Sequence, residues 1–494
     1  MISRRRLLAS ASLGGTALLV GCRRERAQDF VPAQGTTSAE RAVNAARRFS
    51  GTTLNLGWEN GPQIQDPLQF SGPLWERLTG IHINVIELGS PIDAFRRMYE
   101  EHRAGTGALD IVMVAPGWMP DLLLAGALEP LDAYIDHYGV PADEADMLPL
   151  YRGLGSWHGH RYGLFDDGDV LLLYYRRDLF EDETNQHEFA AKFGHPLGTP
   201  PSYDWKQFIE AARFFTEKQT PGLYGLAPFN RDMRWGWFQA LLRRNGGQFF
   251  DPATMKPGVD AEPAVRTMSE LAQVDGYTPP GVGDIAPKDA MLTTYASGAC
   301  AMGSFWPPLG RWAEGYGIDA PAYGGFPRTR VTGKTGYSLL PGGVTELALG
   351  FILSIFSRSR HKEAAYLFAQ WLNSPEFSLE RVMLPYSLRD PFRLSHMTSP
   401  KYRQRWPSAP AYLDLLASAA TKGGLLDLII PGHADYTDAF FVAVTDVRLG
   451  TDVKVAMRRM AETWEAITER YGRRSQRTAY AEYLRRPGAL FTGG

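Results

Sequence analysis

Short apolar strands alternate with amphipathic helices near the start of this chain, and that alternation limits its fold more than any other feature. Thr53-Leu54-Asn55-Leu56-Gly57 reads as a strand, 67–79 as a helix, 81–88 as a strand, 91–103 as a helix and 110–114 as a third strand. Strands joined by helices of this length favour a parallel sheet covered by those helices. From Asp169 to Tyr175 the chain carries Val, Leu and Tyr without polar alternation, the pattern of a strand buried on both faces. With 494 residues the chain exceeds what one hydrophobic core usually supports, so two lobes are expected.

Later segments add punctuation. Met119 to Leu124 predicts a helix closed by Gly126, and the Gly- and Pro-rich stretch from Asn185 to Tyr203 reads as a loop. Asp204 suits the cap of a helix starting at Trp205, with Phe208, Ile209, Ala212 and Phe215 at helical spacing. Pro341-Gly342-Gly343 marks a turn before a strand at 347–355, followed by an amphipathic helix from His361 to Trp371. A long helical pattern from Thr451 to Tyr471 comes late, and no internal repeat is present.

Residues 1–22 read as an export signal. Arg4, Arg5 and Arg6 form a basic start, an apolar small-residue stretch follows, and Leu19-Val20-Gly21-Cys22 ends it like a lipoprotein cleavage box. The apolar stretch is shorter than the roughly 20 residues of a spanning helix. Ser3-Arg4-Arg5 with Arg6-Leu7-Leu8 also resembles a twin-arginine signal, which implies export in the folded state. Cleavage at the box leaves Cys22 first, where its thiol can carry a lipid that anchors the protein outside the cytoplasmic membrane. Residues 23–50 are polar, show no sustained apolar period, and read as a flexible tether.

Composition narrows the function. A formal charge of −2, more negative once the signal's arginines are removed, gives no basic surface for nucleic acid. With Cys22 committed to lipid, Cys300 has no partner in the chain, so neither a disulfide nor a thiolate zinc site is expected. No nucleophile elbow, phosphate loop or HExxH motif occurs, and neither a cofactor nor a metal is indicated. Twelve tryptophans remain to be explained, by large core contacts or by platforms for a flat ligand.

Four segments together resemble the extracellular solute-binding proteins of sugar ABC transporters, the family that includes maltose-binding protein. These are Leu109 to Val114 running into Trp118 to Leu131; Tyr162 to Val170 with Leu171 to Phe180; Gly298 to Met302 leading to Phe305-Trp306-Pro307; and Gly342 through Ile352 with Lys362 to Trp371 and Asn373-Ser374-Pro375-Glu376. The similarity runs with gaps from about Leu54 to Tyr471. Departures are a long linker at 184–199 and Arg176 where the family often has asparagine.

The resemblance implies an α/β, two-lobed fold of periplasmic-binding-protein type II with hinge strands near Tyr174 and Gly343. Lobe 1 would comprise 51–172 and 345–388, lobe 2 would comprise 173–344 and 389–475, and 476–494 would be a tail. It implies no catalysis, a monomer, and delivery of a captured sugar to a membrane permease. A sugar offers hydroxyl edges and apolar C–H faces, so its receptor needs carboxylates or amides in the ring plane and aromatic faces above it. By resemblance, Trp58, Trp118, Asp167 and Asp169 line the cleft from the first lobe; Trp235 or Trp237, Trp306, Arg389 and Tyr436 line it from the second. Core packing is the rival role for each aromatic residue. An exported glycoside hydrolase, with two carboxylates flanking a glycosidic bond, and a carbohydrate receptor without transport remain as alternatives.

Overall fold

The computed structural model describes residues 30–218, 220–280, 288–316, 329–346, 350–385 and 387–490. The signal segment and Cys22 lie outside the described residues. The expected alternation builds a five-stranded sheet. Thr53–Trp58 pairs in parallel with His82–Glu87 on one side and with Ile111–Val114 on the other. Ile352–Ile355 returns from far along the chain, runs antiparallel to Ile111–Val114, and also pairs with Leu164–Phe165 at the edge. Helices Gly72–Thr79, Pro91–Ala104 and Lys362–Asn373 serve this lobe.

A second sheet forms the other lobe. Leu172–Arg176 lies antiparallel to both Cys300–Phe305 and Thr335–Ser338, and Tyr224–Leu226 adds on in parallel beside Cys300–Phe305. The strand Leu172–Arg176 is buried except at its last residue, which is why its sequence lacks alternation. Tyr174, expected at a hinge, sits inside this sheet and donates a 3.0 Å hydrogen bond to the Trp306 carbonyl. The crossing lies just before it, at 166–171. Asp204 caps helix Trp205–Glu217 in a complete capping box with Gln207. Helix Val453–Tyr471 forms as predicted and packs Met457, Met460, Trp464 and Ile467 inward.

Three segments differ from expectation. Part of 185–203 is helical: Asp182 accepts from the Asn185 amide, the helix runs Glu183–Phe193, and Gly194 ends it in the left-handed region at φ 77°. Phe189, packed 5.4 Å from the Phe214 ring, supplies the burial that its weak periodicity hid. The predicted tether is ordered from Phe30 onward. Thr37 caps helix Ser38–Ala46, whose buried face of Ala42, Ala45 and Ala46 rests on helix Lys362–Asn373. Gln370 of that helix donates to the Ser38 carbonyl at 2.9 Å, and Phe30 stacks on His137. The expected tail holds helix Arg473–Tyr483 with Tyr480 and Tyr483 buried, and Leu490 buried after it. Alanine-rich and arginine-rich helices carry little apolar signal, yet close approach lets small side chains bury fully. Among the described residues no helix is long and apolar enough to cross a membrane.

The N-terminal helix is therefore part of the folded body. Replacing both Ala42 and Ala45 by Asp places charges at buried positions and is expected to cost about 2 to 4 kcal/mol in urea unfolding. A flexible tether would show no change in the midpoint.

Candidate functional site

The chain passes from the first sheet to the second through Asp166-Asp167-Gly168-Asp169, and no backbone here is exposed. Gly168 is required by contact: a Cβ at this position would lie 2.1 Å from the Pro391 carbonyl oxygen. That close approach brings the crossing against 381–393. Arg381 donates through Nε to Asp66 at 2.7 Å and grips Asp166 with its fork. Arg389 donates to Asp167 at 3.2 Å while its guanidinium lies 4.5 Å from the centre of the Trp58 ring. The Asp390 amide donates to the other oxygen of Asp167 at 2.8 Å. Arg311, from helix Pro308–Trp312 of the second lobe, reaches Asp390 at 3.3 Å and donates to the carbonyls of Val382 and Ser387.

Carboxylate oxygens of Asp167, Asp169 and Asp390 lie within 4.8 Å of one another, a donor set suited to a hard cation. Arg389 and Arg311 already serve two of these three carboxylates. Burial pushes the Asp390 carboxyl up to about 8 against the pull of Arg311. Burial and the neighbouring Asp169 carry Asp167 well above the usual carboxylate range. Burial thus favours the protonated form of both Asp167 and Asp390.

Beside this network a narrow crevice of about 40 Å³ separates the lobes. Glu59 and Gln63, just after the end of the first strand, face Phe305 and Trp306 at the end of a strand of the second lobe. Asp169 and Phe351 form the floor where the chain crosses. Positions beyond strand ends are where open α/β sheets receive ligands. Trp306 Nε1 and Gln63 Oε1 make no hydrogen bond among the described residues, although both residues are more than nine-tenths buried. One unmet donor and one unmet acceptor in the crevice suit a hydroxyl group.

Of the residues anticipated from sequence, Trp306 and Asp169 line the crevice. Trp118 stands behind it, 6.3 Å from the Phe351 ring. Trp58, Asp167 and Arg389 belong to the buried network beneath the crevice and not to its wall. Trp235, Trp237 and Tyr436 are core residues of the second lobe. Trp235 donates to Asp427, Trp237 to the Ser304 hydroxyl, and the Tyr436 hydroxyl meets Thr468. Helix Arg231–Arg244 is buried on nearly every side, so both of its tryptophans face protein. Glu59, Gln63, Phe305, Phe351 and Leu388 were not anticipated. The rule that ligands bind beyond strand ends would have found Glu59 and Phe305.

A second, buried bridge joins the lobes. The Gly432 amide, at the start of helix His433–Arg448, donates to both oxygens of Asp121 at 2.9 and 3.1 Å. Burial raises Asp121 to about 6. His433, packed on Gly117, pairs with Asp427 at 2.9 Å, and Asp427 raises the imidazole above its usual value against the opposing effect of burial.

The sequence pattern of bacterial extracellular solute-binding proteins matches residues 61–377. The chain belongs to that family. A mannitol-binding protein of Pseudomonas aeruginosa is 28% identical over 267 residues, which cover 51% of this chain and 53% of that protein, so the match spans about half of each. A probable amino-acid ABC transporter periplasmic-binding protein of Sinorhizobium fredii is 24% identical over 75% of this chain and 80% of its own length. Among solved structures, a solute-binding protein of Agrobacterium vitis with D-mannitol aligns at TM-score 0.66 and 20% identity, covering 85% of this chain and 99% of its own. Maltose-bound MalE3 of T. maritima aligns at 0.67 and 19%, covering 84% and 100%. These likenesses establish the two-lobed fold of the solute-binding family for this chain.

A solute-binding protein with protonated carboxyls at its crossing loses stability as pH rises. Asp390 keeps its proton in the folded state up to about 8, whereas its ordinary value is 3.8, so its contribution is complete below that lower value and is lost as pH climbs through about 8. Urea midpoints measured from pH 5 to 8.5 should fall for the native chain and fall less steeply for Asp390→Asn. Asp167, Asp121 and His433 are shifted in the same direction and contribute to the slope that remains.

Proposed function

We propose that this chain captures a neutral polyhydroxylated solute, a sugar or a polyol, in the crevice between its lobes and hands it unchanged to the permease of an ABC transporter. The supporting observation is the crevice itself, where the faces of Trp306, Phe305 and Phe351 stand beside acceptors on Gln63, Glu59 and Asp169. Mannitol and maltose in the names of the relatives are ligands of this chemistry. A space of about 40 Å³ holds little more than a water molecule or two, so a solute enters only when the lobes part. Closure is then selected to the extent that the solute touches both lobes at once.

Binding without chemistry fits the carboxylates. Asp167 is engaged by Arg389 and the Asp390 amide, which leaves it unsuited to act as the nucleophile or the general base of glycoside hydrolysis. Cys22 carries the lipid that tethers a monomeric body outside the cytoplasmic membrane, and the arginines before it direct export through the twin-arginine route. In this reading lobe 1 takes 51–172 and 345–388, and lobe 2 takes 173–344 and 389–475. The C-terminal helix joins lobe 2.

Titration calorimetry with mannitol, ribitol and maltose should find at least one ligand, and Trp306→Ala should weaken it at least tenfold, about 1.4 kcal/mol. Trp237→Ala, in the core, should lower the melting temperature instead. Release of a cleaved product during incubation with maltose, or unchanged affinity in Trp306→Ala, would sink this reading.

A further inference from the structure

A second cavity, of about 300 Å³, lies in the first lobe away from the crevice, between helices Asp132–Tyr138 and Lys362–Asn373. That volume is at the lower end of small-molecule sites. Ser38, the first residue of the N-terminal helix, forms part of its rim. Ile135, Val140, Met147 and Tyr366 give it apolar walls.

Its polar groups are unevenly matched. Gln370 is 5% exposed, and its amide nitrogen donates to two backbone carbonyls, Ser38 at 2.9 Å and Tyr138 at 3.1 Å. Those two acceptors fix which end of the amide is nitrogen. Gln370 Oε1 is left as a buried acceptor that receives no hydrogen bond among the described residues. Such an orphan costs about 1–3 kcal/mol unless a donor meets it.

Charge is unbalanced in the same direction. Asp136, Asp143 and Glu144 face the cavity with Arg161 and Arg393. Arg161 is spent on Glu144, and Arg393 lies 3.8 Å from Asp146 while donating to the carbonyl and side chain of Asn373. Among the described residues no cation stands within ion-pair distance of Asp136 or Asp143. Burial raises the Asp143 carboxyl above its usual range, outweighing a hydrogen bond from Ser38 and the pull of Arg393, and a further positive charge relieves that remaining cost. A carboxylate that Arg393 compensates only in part, an acceptor without a donor and an apolar wall are the complement of an ammonium group on a hydrocarbon body.

We infer that this cavity is a second ligand site, separate from the transport crevice, that binds a small organic ammonium ion. The ammonium donates to Gln370 Oε1 and pairs with Asp143, while the hydrocarbon lies against Tyr366 and Met147. Neutral solutes in the crevice and cations here are recognised independently.

The test titrates the full folded chain with n-pentylammonium chloride, with 1-pentanol and potassium chloride as controls, and follows binding by calorimetry and ligand-observed NMR. The amine should bind at least tenfold more tightly than the alcohol. Asp143→Asn should weaken the amine at least tenfold, and Val140→Phe, which fills the cavity, should abolish binding; both variants should retain the native affinity for whichever sugar or polyol the crevice binds. Equal affinity for amine and alcohol, undiminished amine binding in both variants, or a crystal structure from the amine soak with only water at Gln370 Oε1 would overturn the inference. Loss of polyol binding in Trp306→Ala bears on the crevice alone and leaves this site untouched.

Discussion

Five buried carboxylates, on Asp66, Asp166, Asp167, Asp169 and Asp390, meet three buried guanidiniums, on Arg311, Arg381 and Arg389, where the chain crosses between the lobes. Taking ions from water is expensive, and a buried pair recovers the cost only with close geometry and further hydrogen bonds. Here the bonds are supplied by backbone: the Asp390 amide, and the Val382 and Ser387 carbonyls. Every segment that must meet for the crevice to exist contributes to this set. Strand end, crossing, return segment and second-lobe helix are thereby fixed relative to one another. Burial, reinforced by neighbouring carboxylates, is what shifts Asp167 and Asp390 upward there.

Above this charged base the crevice itself is modest. Its walls are the ends of strands, where backbone pairing stops and side chains point into the gap. Two kinds of tether span it, the charged network at the crossing and the buried Asp121 bridge to the Gly432 amide. The first is dry and held by many partners. The second rests on a helix start and one carboxylate.

Tryptophans divide by environment in a way their spacing does not reveal. Trp306 ends a strand and precedes two prolines, and it reaches the crevice. Trp235 and Trp237 sit two apart on a helix, which places them on different faces, and either face could have been the open one. Burial of that helix by Phe208, Phe249 and Phe440 decided against both. Trp58 follows the strand-end rule yet lies under the Arg389 guanidinium, because the return segment covers it.

Much of the fold was legible because local chemistry and tertiary demand agree in it. The strands at 53–58, 82–87 and 111–114, the capping box at Asp204 and the unbroken apolar strand after Asp169 each carry their own signal. Helix Ser38–Ala46 did not, since an alanine face shows no hydrophobic period until a neighbour approaches closely enough to bury it. The sequence by itself determined the alternation of strands and helices, the two lobes and the presence of acidic and aromatic residues near the crossing. Only the tertiary structure decided which of those residues face the gap, because Asp166, Asp167 and Asp169 are near-identical in sequence context, yet arginines more than 200 residues away hold Asp166 and Asp167 in the network while Asp169 lines the crevice.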